Sequence, residues 1–103
     1  MTCSPATPKL AEEEISKELS RLNGWSLDGN WIEKKYEFKN FLRAMLFVNA
    51  VAYLAESLNH HPDIIIHYKT VTVRNWTHAT GGITVHDFRL AGKIDALTEN
   101  TSS

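Results

Sequence analysis

The chain has 103 residues, 43% of them hydrophobic and 22% charged, the make-up of one soluble globular domain with no room for a second core. Its 11 basic and 12 acidic residues leave a formal net charge of −1. No basic stripe is on offer for a polyanion, so direct nucleic-acid binding is not expected.

Residues 1–7 are small and polar and are expected to form a disordered tail. Met1 to Ala11 carries no apolar leader, and the lone Cys3 can make no internal disulfide, which suits a cytoplasmic protein. Thr7 followed by Pro8 predicts a helix start, and Glu12 to Glu14 suit the positive end of its dipole. Leu10, Ile15, Leu19 and Leu22 give that helix an apolar stripe, which Asn23-Gly24 brings to a stop. Trp25 to Phe38 predicts a hairpin about the turn dipeptide Asp28-Gly29. Ile32, Tyr36 and Phe38 share one parity and Glu33, Lys35 and Glu37 the other, as in a strand with one buried and one wet face.

Asn40 is the expected N-cap of the longest helix, about Phe41 to Leu58. Phe41, Ala44, Met45, Val48, Ala52, Ala55 and Leu58 recur at helical spacing, and Leu42, Leu46, Val51 and Leu54 widen the face, which predicts a core helix. The longest apolar stretch, Ala44 to Ala55, is interrupted by Asn49 and Tyr53 and falls short of the roughly 20 residues of a membrane span. Pro62 then ends the helical pattern and pushes His61 into extended backbone. Ile64, Ile66 and Tyr68 lie on even positions but Val71 and Val73 on odd ones, so a turn must reset the phase. Two short strands follow from this, about Asp63–His67 and Thr70–Trp76, reversed around Tyr68-Lys69.

Thr77 to Gly82 reads as a loop, mobile or tightly turned by its glycines. Thr84 with Asp87 three residues on is a variant capping box for the last helix, whose expected buried stripe is Val85, Phe88, Ala91, Ile94 and Leu97. The element order is α-β-β-α-β-β-α. It predicts one α+β two-layer domain over residues 8–97, a four-stranded antiparallel sheet with helices packed on one face, and a second disordered tail at 98–103. The open face of such a sheet is expected to need a partner.

Three of the five histidines, His60, His61 and His78, fall at the ends of regular elements, where side chains can converge on one cleft. Three readings are open for them. They can be polar hinge residues. They can be metal ligands, although adjacent residues straddling a helix end point apart and only Glu56 and His60 have i, i+4 spacing. They can also be an acid–base set, since imidazoles titrate near neutral pH and removing water from a carbon needs one acid and one base. Glu56, late in a helix where the dipole disfavours a carboxylate, is expected to pair with His60. No G-x-S-x-G elbow or glycine-rich phosphate loop is present.

The ordered set Glu56, His60-His61-Pro62, Tyr68, His78 and Asp87 resembles the signature of the pterin-4a-carbinolamine dehydratases: seven positions at fixed spacing over 32 residues. Asn23-Gly24-Trp25 is similar to the opening of that family, and about Leu10 to Leu97 fits its layout. The resemblance implies dehydration of a 4a-hydroxytetrahydropterin to the quinonoid dihydropterin, with no metal and no bound cofactor, in support of pterin recycling for aromatic amino-acid hydroxylases. It implies His60 and His78 as the acid–base pair, His61 as a pterin holder and Glu56 as an orienting carboxylate. Trp25 would close over the ring, with Asp87 at the pocket edge, Thr77 among the substrate-binding residues, and Pro62 and Tyr68 structural. A homodimer or homotetramer is implied as well, and animal relatives that serve as dimerisation partners of a transcription factor imply a binding module as the alternative. Trp76 and Lys69 stand where many relatives carry a smaller residue and an asparagine. His67 and His86 lie outside the signature and read as structural.

Overall fold

The computed structural model describes residues 8–99. The elements are α1 (Glu12–Leu19), β1 (Ser26–Asp28), β2 (Trp31–Glu37), α2 (Phe41–Leu58), β3 (Asp63–His67), β4 (Thr70–Asn75) and α3 (Val85–Glu99), in the expected α-β-β-α-β-β-α order. Cys3, Thr7 and the tail residues 1–7 and 100–103 lie outside the described residues. The predicted second tail begins too early at 98, because α3 continues to Glu99 and Thr98 Oγ1 donates to the Asp95 carbonyl at 2.8 Å.

The sheet is antiparallel throughout, in the order β1-β2-β4-β3. Register puts Ile32 opposite Asn75 and Tyr36 opposite Val71, while Ile64 and Ile66 face Val73 and Val71. The even and odd strand patterns therefore land on one face. The turn that reconciles them sits at Tyr68, which takes a left-handed φ of 56°. Ile32, Tyr36, Val71 and Val73 from this face meet Phe47 and Val51 of α2 and Leu90, Ala91 and Ile94 of α3 in one buried core. Burial of this apolar surface stabilises the fold at about 25 cal/mol per Å².

Asn40 caps α2 as expected, its Oδ1 accepting from the Arg43 amide at 2.9 Å. The helix ends where Asn59 turns left-handed at φ 52°. Its buried face is Ala44, Phe47, Val51 and Ala55. Phe41, Leu42, Leu46 and Ala52, which the apolar pattern assigned to the packed face, are exposed, with Leu42 at 66% and Leu46 at 58%. Eighteen residues make α2 long and apolar enough, by length and composition, to cross a membrane, so counting only Ala44 to Ala55 undersized it. Its packing gives a different account, since one face lies on the sheet and the other is broken by Arg43, Asn49 and Glu56. The unpartnered apolar surface is thus on α2. The open sheet face is largely polar instead, with Glu33 holding Arg74 at 3.1 Å and Arg74 lying 4.9 Å from the Trp31 ring.

Two further expectations are corrected. Helix α1 starts after Ala11 rather than at Pro8, because the Leu10 amide donates to the Ile83 carbonyl at 2.8 Å and ties that stretch to the segment before α3. Glu14 then accepts from the Ala11 amide at 3.0 Å and closes the helix start. On α3, Val85 is 48% exposed because it begins the first turn on the open side, whereas Leu90, outside the predicted stripe, is fully buried.

Candidate active site

The site begins at the end of α2. Once Asn59 has turned left-handed, the His60 amide returns to the Ala55 carbonyl at 3.0 Å and the chain leaves extended toward Pro62. Successive side chains then point to opposite sides. His60 goes inward and is 5% exposed, while the side chain of its neighbour His61 remains 52% exposed.

His60 meets Asp87, a fully buried carboxylate in the first turn of α3. Oδ1 of Asp87 lies 2.6 Å from His60 Nε2, and Oδ2 accepts from Thr77 Oγ1 at 2.8 Å and from the Thr84 amide at 2.9 Å. The capping box predicted from Thr84 and Asp87 is therefore formed, and its carboxylate holds a histidine besides. The Thr77 hydroxyl spends its proton on Asp87, so at the 2.7 Å contact between Thr77 Oγ1 and Thr84 Oγ1 it is Thr84 that donates. Thr84 Oγ1 in turn accepts from the His86 amide at 3.2 Å. With both Asp87 oxygens serving as acceptors, His60 Nε2 is a donor, and a neutral His60 carries its lone pair on Nδ1.

Thr77 also anchors the segment that bears His78. Its amide donates to the Gly82 carbonyl at 2.7 Å, and Thr80 and Gly81 fold back onto its own carbonyl through a tight turn with Gly81 at φ 69°. His78 projects from this turn, exposed, with its ring 4.2 Å from that of Trp76 in an edge-on contact. Trp76 Nε1 donates to Asp63 Oδ2 at 3.1 Å. A cleft of about 200 Å³ results, lined by Asn59, His60, His61, Trp76, His78 and Ala79.

The three histidines singled out in the sequence thus share one cleft. The other predicted residues divide. Glu56 does not pair with His60, because the left-handed Asn59 swings His60 inward; it holds His61 instead, Oε2 to Nε2 2.8 Å, in an exposed pair worth about 0–1 kcal/mol. Asp87 and Thr77 lie beneath the cleft as supports, not on its edge. Trp25 does not cover it. It follows Gly24, whose φ is 84°, turns into the core at 6% exposure and donates Nε1 to Asp95 Oδ2 at 3.1 Å. There Asp95 also accepts from Lys34 Nζ at 3.0 Å and Tyr36 Oη at 2.6 Å, and burial together with Asp95 pushes the Tyr36 phenol up. Among the described residues no three His, Cys, Asp or Glu side chains converge as a metal site.

The sequence marked Trp76 only as a departure from the relatives and read His86 as structural; the structure puts Trp76 in the cleft wall. The His86 ring lies 6.1 Å from that of His60, and burial, followed by the neighbouring His60 and Arg89, pulls its pKa down.

Comparison with known proteins gives the same direction. The family model described as pterin 4 alpha carbinolamine dehydratase matches residues 8–97. A protein of Sulfurisphaera tokodaii, named as a candidate pterin-4-alpha-carbinolamine dehydratase, is 52% identical over 86% of this chain and 96% of its own. One of Dechloromonas aromatica with the same name is 45% identical over 94% of this chain and 89% of its own. The crystal structure of a transcriptional coactivator/pterin dehydratase from Brucella melitensis superposes with a TM-score of 0.83 at 36% identity, covering 87% of this chain and 98% of that one.

Proposed function

Given that the chain belongs to the pterin 4 alpha carbinolamine dehydratase family, we propose that it dehydrates a 4a-hydroxytetrahydropterin to the quinonoid dihydropterin by histidine acid–base catalysis. In that step the bond from C4a to the hydroxyl oxygen breaks, and an acid gives the departing oxygen its proton. A base takes the proton of the neighbouring atom, and the electron pair left behind forms the new double bond. Two imidazoles near neutral pH suit the two tasks, each worth ~10²–10⁴-fold.

The observation that carries this reading is the convergence of His60, His61 and His78 on one cleft. His60 and His78 act as the acid–base pair, His61 steadied by Glu56 holds the pterin, and Asp87 with Thr77 keeps His60 in place. The protein works in the cytoplasm, in pterin recycling for aromatic hydroxylation. The test is stopped-flow decay of a 4a-hydroxytetrahydropterin: the protein accelerates it over buffer, and His60→Ala or His78→Ala removes about 10²-fold or more while the circular dichroism spectrum is kept. A wild-type rate equal to the spontaneous one rejects the proposal.

The exposed stripe of Leu42, Leu46 and Tyr53 on α2 supports a homo-oligomer, with a second copy covering it. It also favours a second reading, a coactivator-type module that uses this helix to bind a protein. A protein partner whose binding survives His60→Ala and His78→Ala, in a chain without dehydratase activity, would favour the module.

A further inference from the structure

We propose that Trp76 is a positioning residue for His78, and that Asp63 holds Trp76 in that role. Among the described residues the His78 ring makes no hydrogen bond, and the contact that restrains it is the edge-on packing against Trp76, 4.2 Å between centroids at 62°. His78 stands exposed on a tight turn. Without that neighbour its imidazole would sample every staggered rotamer its backbone allows.

Trp76 is itself fixed. An indole turns about only two side-chain torsions, and its single N–H is engaged by Asp63 Oδ2 at 3.1 Å. Asp63 begins β3, immediately after His60-His61-Pro62, whereas Trp76 follows β4 and precedes Thr77-His78. The Asp63–Trp76 bond therefore spans the two chain segments that supply the cleft's histidines, on its open side. Asp87 joins the same two segments underneath, through His60 and Thr77. A misplacement on the order of 1 Å can cost a reaction about a hundredfold, so both ties bear on the reaction proposed above.

The test has a structural arm and a kinetic arm. In proton NMR the ring signals of His78, assigned by their loss in His78→Ala, should be displaced by the indole ring current. They should relax toward free-histidine positions in Trp76→Leu, remain partly displaced in Trp76→Phe, and move in Asp63→Asn. Unchanged His78 signals in a folded Trp76→Leu protein overturn the proposal, and Trp76→Phe serves if the leucine variant does not fold. The kinetic arm rests on the dehydratase reading. Trp76→Leu should lower kcat about tenfold or more with little change in KM, and should cost nothing further in a His78→Ala background. An equal loss in both backgrounds overturns the positioning role. A wild-type protein with no dehydratase activity defeats the functional reading alone, and the NMR arm still decides whether Trp76 holds His78.

Discussion

Asp87 and His60 are 27 residues apart in sequence and 2.6 Å apart in space, and neither is more than marginally in contact with solvent. A buried carboxylate accepts here from an imidazole, a hydroxyl and an amide at once, and a carboxamide in its place would turn its NH2 to His60 Nε2, which must then face a donor or give up its proton to Nδ1. Asp87→Asn should cost about 1–3 kcal/mol in urea unfolding, since a buried group is left unsatisfied. It should also lower the proposed dehydration rate by about 10²-fold or more, since His60 loses the acceptor that orders its proton. Wild-type stability and rate in this variant would count against the arrangement.

His86 predicts a pH dependence of stability. Burial and the nearby His60 hold its folded pKa below the ordinary 6.5. As pH falls through about 6.5 the unfolded chain takes up a proton that the folded chain does not, so unfolding is favoured. The loss continues until the folded His86 itself becomes charged. Urea midpoints measured from pH 7.5 to 5 should fall toward acid more steeply in the wild type than in His86→Gln. Parallel curves would refute the assignment.

Two glycines should respond in opposite directions to alanine. Gly24 has φ 84°, and a Cβ there would lie 3.0 Å from Lys34 Cε, whose ammonium Asp95 holds, so Gly24→Ala should destabilise by about 1–2 kcal/mol. Gly92 lies inside α3, and a methyl group added to it would meet nothing within 4 Å, so Gly92→Ala should stabilise by roughly 0.5–1 kcal/mol. For a domain of this size each kcal/mol moves the melting temperature by about 4–8 °C, which calorimetry resolves.

The α2 stripe predicts the assembly state. Leu46→Lys should convert a homo-oligomer to a smaller species in sedimentation equilibrium without loss of helicity, because Leu46 is 58% exposed and contributes nothing to the core. A wild-type protein that already sediments as a monomer would remove the need for a second copy on this face.

Much of this architecture was legible from local chemistry. Asn40, Pro62 and the Thr84–Asp87 pair are punctuation whose effect depends on their neighbours alone, so the bounds of α2 and the start of α3 could be read directly. The phase reset between Ile66 and Val71 was legible for a similar reason, since alternation leaves no other solution. Partners were harder. Glu56 and His60 have the spacing of a helical pair, but one left-handed residue, Asn59, ends the helix and exchanges His60 for His61. Trp25 reads as an aromatic that could face a flat ligand, but Asp95 in α3, distant in sequence, draws it inward. The start of α1 was misread because the tie between Leu10 and Ile83 joins opposite ends of the chain. Strand order, too, is set across the chain, as β2 pairs with β4 on the edge that β1 leaves free, and β3 is left outermost.

The carboxylate that caps α3 is the one that steadies His60, and this dual employment has a dynamic corollary. If the first turn of α3 frays, the imidazole is released in the same motion, so partial melting at one edge would silence the protein while most of its amides remained protected from exchange. Heat inactivation would then precede the cooperative unfolding transition, and the gap between the two temperatures would gauge how firmly that single turn is wound.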